Sequence, residues 1–207
     1  MAAYPLLVAT DLDGTIIRSD GTISPRTVAA FARVEAAGAR FVLVTGRPPR
    51  MMRPIAETFE HRGTAICANG ALSYDLRTET VAALHLIPPD ALAAAATALR
   101  AAAPGIGIAV EYPDGHAADH AYQALNWDVN SSMPRLADDE LFARPASKLL
   151  GRHFGYTCDD LLAVALPALD GLVSVTHSNS KGLVEAAAPS AADGMRCSAS
   201  TVSVRML

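Results

Sequence analysis

The residues best placed to do chemistry are Asp11, Asp13, Gly14 and Thr15, in the segment DLDGT that follows the apolar run PLLVAT. Two carboxylates two positions apart, in a turn tightened by Gly14, can divide the labour of phosphoryl transfer. One attacks phosphorus as a nucleophile, while the other protonates the leaving oxygen and later activates water. A divalent cation offsets the repulsion between these acids and a phosphate, and hard oxygen donors favour Mg²⁺. Asp and Gly are also ordinary turn formers, so the same residues describe a solvated turn. Their position at the end of a strand-like run, with Thr15 next, favours a site, because open α/β sheets bind ligands at the carboxyl ends of their strands.

A second candidate group closes the apolar run ARFVLVTGR. Turning from strand to helix at Thr45 and Gly46 would aim amide donors and the positive end of a helix dipole at an anion. A Thr that merely caps a helix gives the same pattern. Arg47 next to them is either a substrate contact or one half of a surface salt bridge. Asn69-Gly70, in CANGA, makes a plain turn.

The elements that must position these groups follow from the pattern. Pro5 to Thr10 is apolar without alternation and reads as a strand buried on both faces. Ser24 followed by Pro25 supplies an N-cap and first helical position for SPRTVAAFARVEAAG, which Gly38 closes. ARFVLVTGR repeats the buried strand, PPRMMRPIAETFE is a helix interrupted or begun late at Pro54, and TAICANG is a third short strand. Strand, helix, strand, helix, strand predicts a doubly wound α/β unit.

Beyond Asn69 the character changes. LSYDLRTETVAALHL alternates around a polar turn and predicts an antiparallel hairpin opening a different module. A helix from Pro88 to about Ala103 follows, then the strand GIGIAVEYP and a loop rich in His and Asp. Helical character returns at Asp138 to Phe142 and in CDDLLAVALPAL, with strands at PASKLLGRH and GLVSVTHS. The expected division is residues 1–74 as the N-terminal part of a core, 75–182 as an α+β cap, and 183–207 as a C-terminal remnant. His116, Asp119 and His120 raise the question of a metal cluster; without a further ligand at a convincing spacing, a solvated polar loop is the better account.

DLDGT resembles the first motif of the haloacid dehalogenase superfamily of aspartate-nucleophile phosphatases. Val44-Thr45-Gly46-Arg47 resembles its second motif, and Cys67-Ala68-Asn69-Gly70-Ala71 resembles the third-strand end of the Cof-type branch, which carries N-G-A before a large inserted cap. The resemblance implies an α/β fold: an incomplete Rossmann-like parallel-sheet core with an inserted α+β cap. It implies that Asp11 is nucleophile and metal ligand, and that Asp13 is the general acid/base with its backbone carbonyl also facing the metal. Thr45 and Gly46 then bind the phosphoryl group, and Asn69 is a candidate substrate-binding residue. The implied activity is that of a Mg²⁺-dependent hydrolase, a phosphatase of small phosphomonoesters, sugar phosphates included, acting through an aspartyl-phosphate under a closing cap. A phosphomutase uses the same nucleophile.

The resemblance also calls for a charge-neutralising lysine and a late acidic G-D-x-x-x-D segment. After Lys181 the acids are Glu185 and Asp193. Lys181, in HSNSKGLVEAAA, fits the lysine motif superficially but precedes what reads as the last cap strand, and Lys148 reads as a cap-strand lysine at a sheet rim. The expectation is therefore a truncated or frame-altered member, with a noncatalytic binding protein as the alternative and very poor turnover of the 207-residue chain as the consequence.

Composition sets the remaining bounds. With 51% hydrophobic, 18% charged and 5% aromatic residues the chain is expected to fold, and a net charge of −4 gives no footprint for nucleic acid. Cys67, Cys158 and Cys197 are odd in number and widely spaced, which fits a reducing cytoplasm better than a disulfide framework. The start MAAYPLLVATDLDGT has no basic region of a signal peptide, and no apolar run approaches the roughly 20 residues of a membrane span. The expected partner is a small phosphorylated metabolite, with neither nucleic acid nor membrane.

Overall fold

The computed structural model describes residues 7–125, 133–177 and 181–191. The chain divides into two compact units, Met1–His85 with Ser190–Leu207, and Leu86–Pro189.

The first unit runs β1 (Leu7–Asp11), α1 (Pro25–Ala36), β2 (Arg40–Val44), α2 (Arg53–Thr58), β3 (Thr64–Cys67), β4 (Leu72–Asp75) and β5 (Thr80–Leu84). At the start of α1 the Ser24 hydroxyl accepts the Thr27 N–H at 3.1 Å, satisfying a donor the helix leaves open. A short 3-10 turn at Pro49–Met51 precedes α2, so the proline-rich stretch breaks the helix as its sequence requires. The sheet order is β1-β2-β3-β4-β5, with β1, β2 and β3 parallel and β4 and β5 antiparallel. The rings of Phe31, Phe41 and Phe59 meet at centroid separations of 4.9, 5.3 and 5.5 Å, welding α1 and the end of α2 to β2.

Two expectations change here. The first strand is not buried on both faces: Ala9 and Asp11 are exposed, because among the described residues β1 pairs with β2 alone and forms the sheet edge. The hairpin of residues 72–84 does not open the second module. β4 pairs with β3 along Thr64↔Asp75 to Cys67↔Leu72, so the hairpin extends the first sheet. Its alternation was legible as strand, but the strand it would join was not.

The second unit runs α3 (Pro89–Ala102), β6 (Gly107–Tyr112), β7 (Gly115–Ala118), α4 (Asp138–Leu141), β8 (Lys148–Arg152), α5 (Cys158–Ala168), β9 (Ser174–Thr176) and β10 (Leu183–Ala187). Its sheet is antiparallel throughout, in the order β7-β6-β8-β10-β9. Leu92, Ala95, Ala96 and Leu99 of α3 and Leu161 and Ala165 of α5 pack with Ile108, Val110, Leu149, Val184 and Ala186 of the strands. Contact is close at Gly151, where a Cβ would stand 2.6 Å from Leu99 Cδ2. β7 lies in what the sequence suggests is a polar loop, and β10 belongs to this sheet, so the units divide at 85/86 and 189/190 instead of 74/75 and 182/183. Pro5 and most of the predicted C-terminal remnant, TVSVRML included, lie outside the described residues.

Candidate active site

The parallel register builds the site. Asp11, the last residue of β1, pairs with Val44, the last of β2, and Val44 pairs with Ile66 of β3. Asp11, Thr45 and Asn69 therefore leave their strands at the same, carboxyl end of the sheet. This is where an open α/β sheet offers a crevice.

After β1 the chain turns at once. The N–H groups of Thr15, Ile16 and Ile17 all donate to the Leu12 carbonyl, and Leu12 itself is buried. Gly14 takes φ +76, a left-handed conformation that costs glycine little. The turn brings the Thr15 hydroxyl to 3.3 Å from Asp11 Oδ2, which it supports as a donor. Asp11 and Asp13 are both exposed.

Thr45 is buried, and its N–H continues the ladder to the Ile66 carbonyl at 2.9 Å. Its Oγ1 accepts the Arg47 N–H at 3.1 Å, a local turn that fixes the hydroxyl. Two bonds tie this loop to the next: Ala68 N–H to the Arg47 carbonyl at 3.0 Å, and Asn69 N–H to the Thr45 carbonyl at 3.3 Å. Asn69 Oδ1 lies over Gly46, 2.9 Å from where a Cβ would be. Ala68 and Asn69 both adopt left-handed backbone, at φ 51 and 57. Consecutive non-glycine residues in that region are strained, and such strain concentrates at functional loops. Gly70, at φ +100, admits the Ala191 carbonyl oxygen to where a Cβ would stand.

Arg47, half-buried, turns onto Asp13. Its Nε and Nη2 donate to Asp13 Oδ2 and Oδ1 at 2.9 and 2.6 Å. No sequence signal marks this pair, whose members are 34 positions apart. Asn69 and Gly46 come together with Thr45, while Arg47 joins Asp13. Deeper in the sheet, burial pushes the Cys67 thiol up to about 12.

The remaining candidates lie in the second unit. Asp119 accepts the Ala121 and Tyr122 N–H groups at 3.0 and 2.8 Å and pairs with Arg100 at 2.9 Å, which is a turn-forming role. His116 sits on β7, and among the described residues no group of three or more His, Cys, Asp or Glu side chains is arranged to hold a metal. Lys148 is buried in an ion pair with Glu185 at 2.6 Å, not at an open sheet rim. Lys181 is exposed.

Residues 8–131 match the haloacid dehalogenase-like hydrolase family. The chain belongs to that family. Over 75 residues it is 36% identical to a pyridoxal phosphate phosphatase of Escherichia coli, a match spanning 36% of this chain and 28% of the relative's length. Among solved structures, a phosphatase of the haloalkanoate superfamily from Bacteroides thetaiotaomicron aligns with a TM-score of 0.76 at 18% identity, covering 99% of this chain and 75% of its own. A sugar phosphatase of subclass IIB aligns with a TM-score of 0.75 at 15% identity, covering 96% of this chain and 76% of its own. The chain shares the α/β fold of these phosphatases. Among the described residues no helix is long and apolar enough to cross a membrane.

Proposed function

We propose that the chain is a Mg²⁺-dependent phosphatase of small phosphomonoesters, sugar phosphates and pyridoxal phosphate being the first classes to try, acting in the cytoplasm with residues 86–189 as its cap. The observation that carries this reading is the register of β1 on β2, which sets Asp11 and Thr45 at one end of adjacent parallel strands. A carboxylate nucleophile beside a buried, oriented hydroxyl suits a tetrahedral dianion better than a planar or apolar ligand.

In the first step an Asp11 carboxylate oxygen attacks phosphorus, forming an acyl phosphate as the bond to the ester oxygen breaks. Asp13, as the carboxylic acid, gives its proton to that departing oxygen. In the second step Asp13, now ionised, takes a proton from water. The water oxygen attacks phosphorus, the bond to Asp11 breaks, and inorganic phosphate leaves with Asp11 restored. Thr45 Oγ1 accepts from Arg47 N–H, which leaves its own hydrogen to donate to a phosphoryl oxygen. Gly46 presents backbone close to the same position, and Asn69, held over it, would meet the organic part of the substrate.

The Asp11 carboxylate and the Asp13 backbone carbonyl are the donors that would hold Mg²⁺. Both are hard oxygens, and Mg²⁺ commonly takes one or two carboxylates and fills its octahedron with water and phosphate oxygens, so the donors present fit it. When bound, the ion supplies charge compensation between carboxylates and substrate.

The test is phosphate release from p-nitrophenyl phosphate, pyridoxal phosphate and a set of hexose phosphates, with Mg²⁺ and with chelator. Release that requires Mg²⁺ is expected. No release from any of them with Mg²⁺ present, at enzyme concentrations above those of substrate, contradicts the reading.

A further inference from the structure

We infer that Arg47 is the positioning residue of the general acid/base, acting on the reaction through Asp13 instead of binding substrate; this rests on the phosphatase reading above. The guanidinium engages both carboxylate oxygens, Nε on Oδ2 at 2.9 Å and Nη2 on Oδ1 at 2.6 Å. A two-point fork of this kind fixes the plane of a carboxylate as well as its position, which a single contact or a lysine cannot do.

The fork is mounted on a braced loop. The Arg47 N–H donates to Thr45 Oγ1 at 3.1 Å, and the Arg47 carbonyl accepts the Ala68 N–H at 3.0 Å. Its backbone is thus held from both sides, next to the strained pair Ala68 and Asn69. Asp13 needs such support: its side chain is 55% exposed, against 27% for Arg47, so packing alone does not orient it. An ionised carboxylate has about four lone-pair sites. The fork takes one on each oxygen and leaves one on each, where the transferred proton can bind and from which, as O–H, it can be given up.

The register explains why the two meet. Asp11 and Val44 are partners in the β1–β2 ladder, so Asp13 and Arg47 stand two and three residues beyond paired positions on neighbouring loops. The residue directly following the phosphate-binding pair Thr45 and Gly46 thereby couples the anion loop to the acid/base. Any displacement of that loop is transmitted to Asp13.

The closing experiment compares Arg47→Met, Arg47→Lys, Asp13→Asn and Asp13→Asn/Arg47→Met with the unaltered chain, by the single-turnover rate and half-saturating concentration of two substrates. One is glycerol phosphate, whose alkoxide must be protonated as it leaves. The other is p-nitrophenyl phosphate, whose phenolate leaves without help. General acid/base groups contribute roughly 10² to 10⁴ in rate. Arg47→Met is expected to lower the glycerol phosphate rate at least about tenfold and the p-nitrophenyl rate less than about threefold, with half-saturation unchanged. Arg47→Lys is expected not to restore the loss, and the double variant to be no slower than Asp13→Asn. Weaker half-saturation at an unchanged rate, equal losses on both substrates, or additive losses in the double variant would each overturn the inference. An independent readout is the Arg47 Nε–H resonance, expected to be sharp and slow to exchange, and lost in Asp13→Asn. Its absence overturns the inference whatever the activity. A chain that keeps the resonance but releases no phosphate from either substrate overturns the phosphatase reading instead.

Discussion

Thr45 accepts the Arg47 N–H at its hydroxyl oxygen, and in the proposed reaction the same hydroxyl would offer its hydrogen to a phosphoryl group. Thr45→Val removes both and keeps the shape, so kcat/KM is expected to fall about 10²-fold, the scale of losing one oriented donor; steady-state kinetics with an unchanged circular dichroism spectrum would check it. Cys67 offers a test of burial. Its thiol is raised to about 12 from an ordinary 9.0, so the folded state keeps a proton that the unfolded chain loses. The stability this represents is present below pH 9 and is lost as pH rises toward 12. Melting temperature is therefore expected to drop through that window, and less steeply in Cys67→Ala. At this scale the turns that carry Asp11, Asp13 and Thr45 at strand ends were legible, because they are local to short segments. The Asp13–Arg47 fork was not, since it depends on which strands are neighbours, and the sequence of a loop does not encode that. Nor did Ala68 show its left-handed backbone, a conformation alanine ordinarily avoids.

Elements carry their own boundaries better than their partners. Ser24 and Pro25 mark the start of α1 in the sequence as in the structure, and the Ser24 cap has a measurable consequence. Ser24→Ala is expected to cost about 1 kcal/mol, read as a lower urea midpoint at unchanged slope. Gly63 sets a harder limit: at φ +90 it would place a Cβ against the Phe41 ring, inside the Phe31, Phe41 and Phe59 cluster. Gly63→Ala combines backbone strain with overpacking and is expected to cost about 2 to 4 kcal/mol in the same unfolding experiment. The hairpin β4–β5 shows where sequence reading stops. LSYD alternates buried and half-buried positions as its pattern says, yet pairing with β3 is decided by tertiary register. β7 escaped notice because GHAA is short and has no β-branched or aromatic residue to announce a strand; it exists because β6 offers an edge.

On the scale of the whole chain, two units with separate sheets mean that stability and chemistry can be perturbed apart. Lys148 and Glu185 are each 5% exposed and 2.6 Å apart within the second unit's sheet. Lys148→Met takes an ion-pair partner from a buried carboxylate and is expected to destabilise the chain by about 3 to 5 kcal/mol, whereas Lys148→Met/Glu185→Leu recovers most of the loss; urea unfolding of the two variants distinguishes them. The parallel three-strand layer and the α+β second unit were legible in outline, since periodicity records element type. Their division at 85/86 was not, because it turns on which sheet the hairpin joins. The central claim concerns Asp11, and one measurement addresses it directly: acid quench during turnover of p-nitrophenyl phosphate with Mg²⁺, followed by peptide mass spectrometry. The account predicts one phosphoryl group on the peptide containing Asp11 and none in Asp11→Asn. A phosphoryl group on another residue, or phosphate release by Asp11→Asn at the unaltered rate, would contradict it.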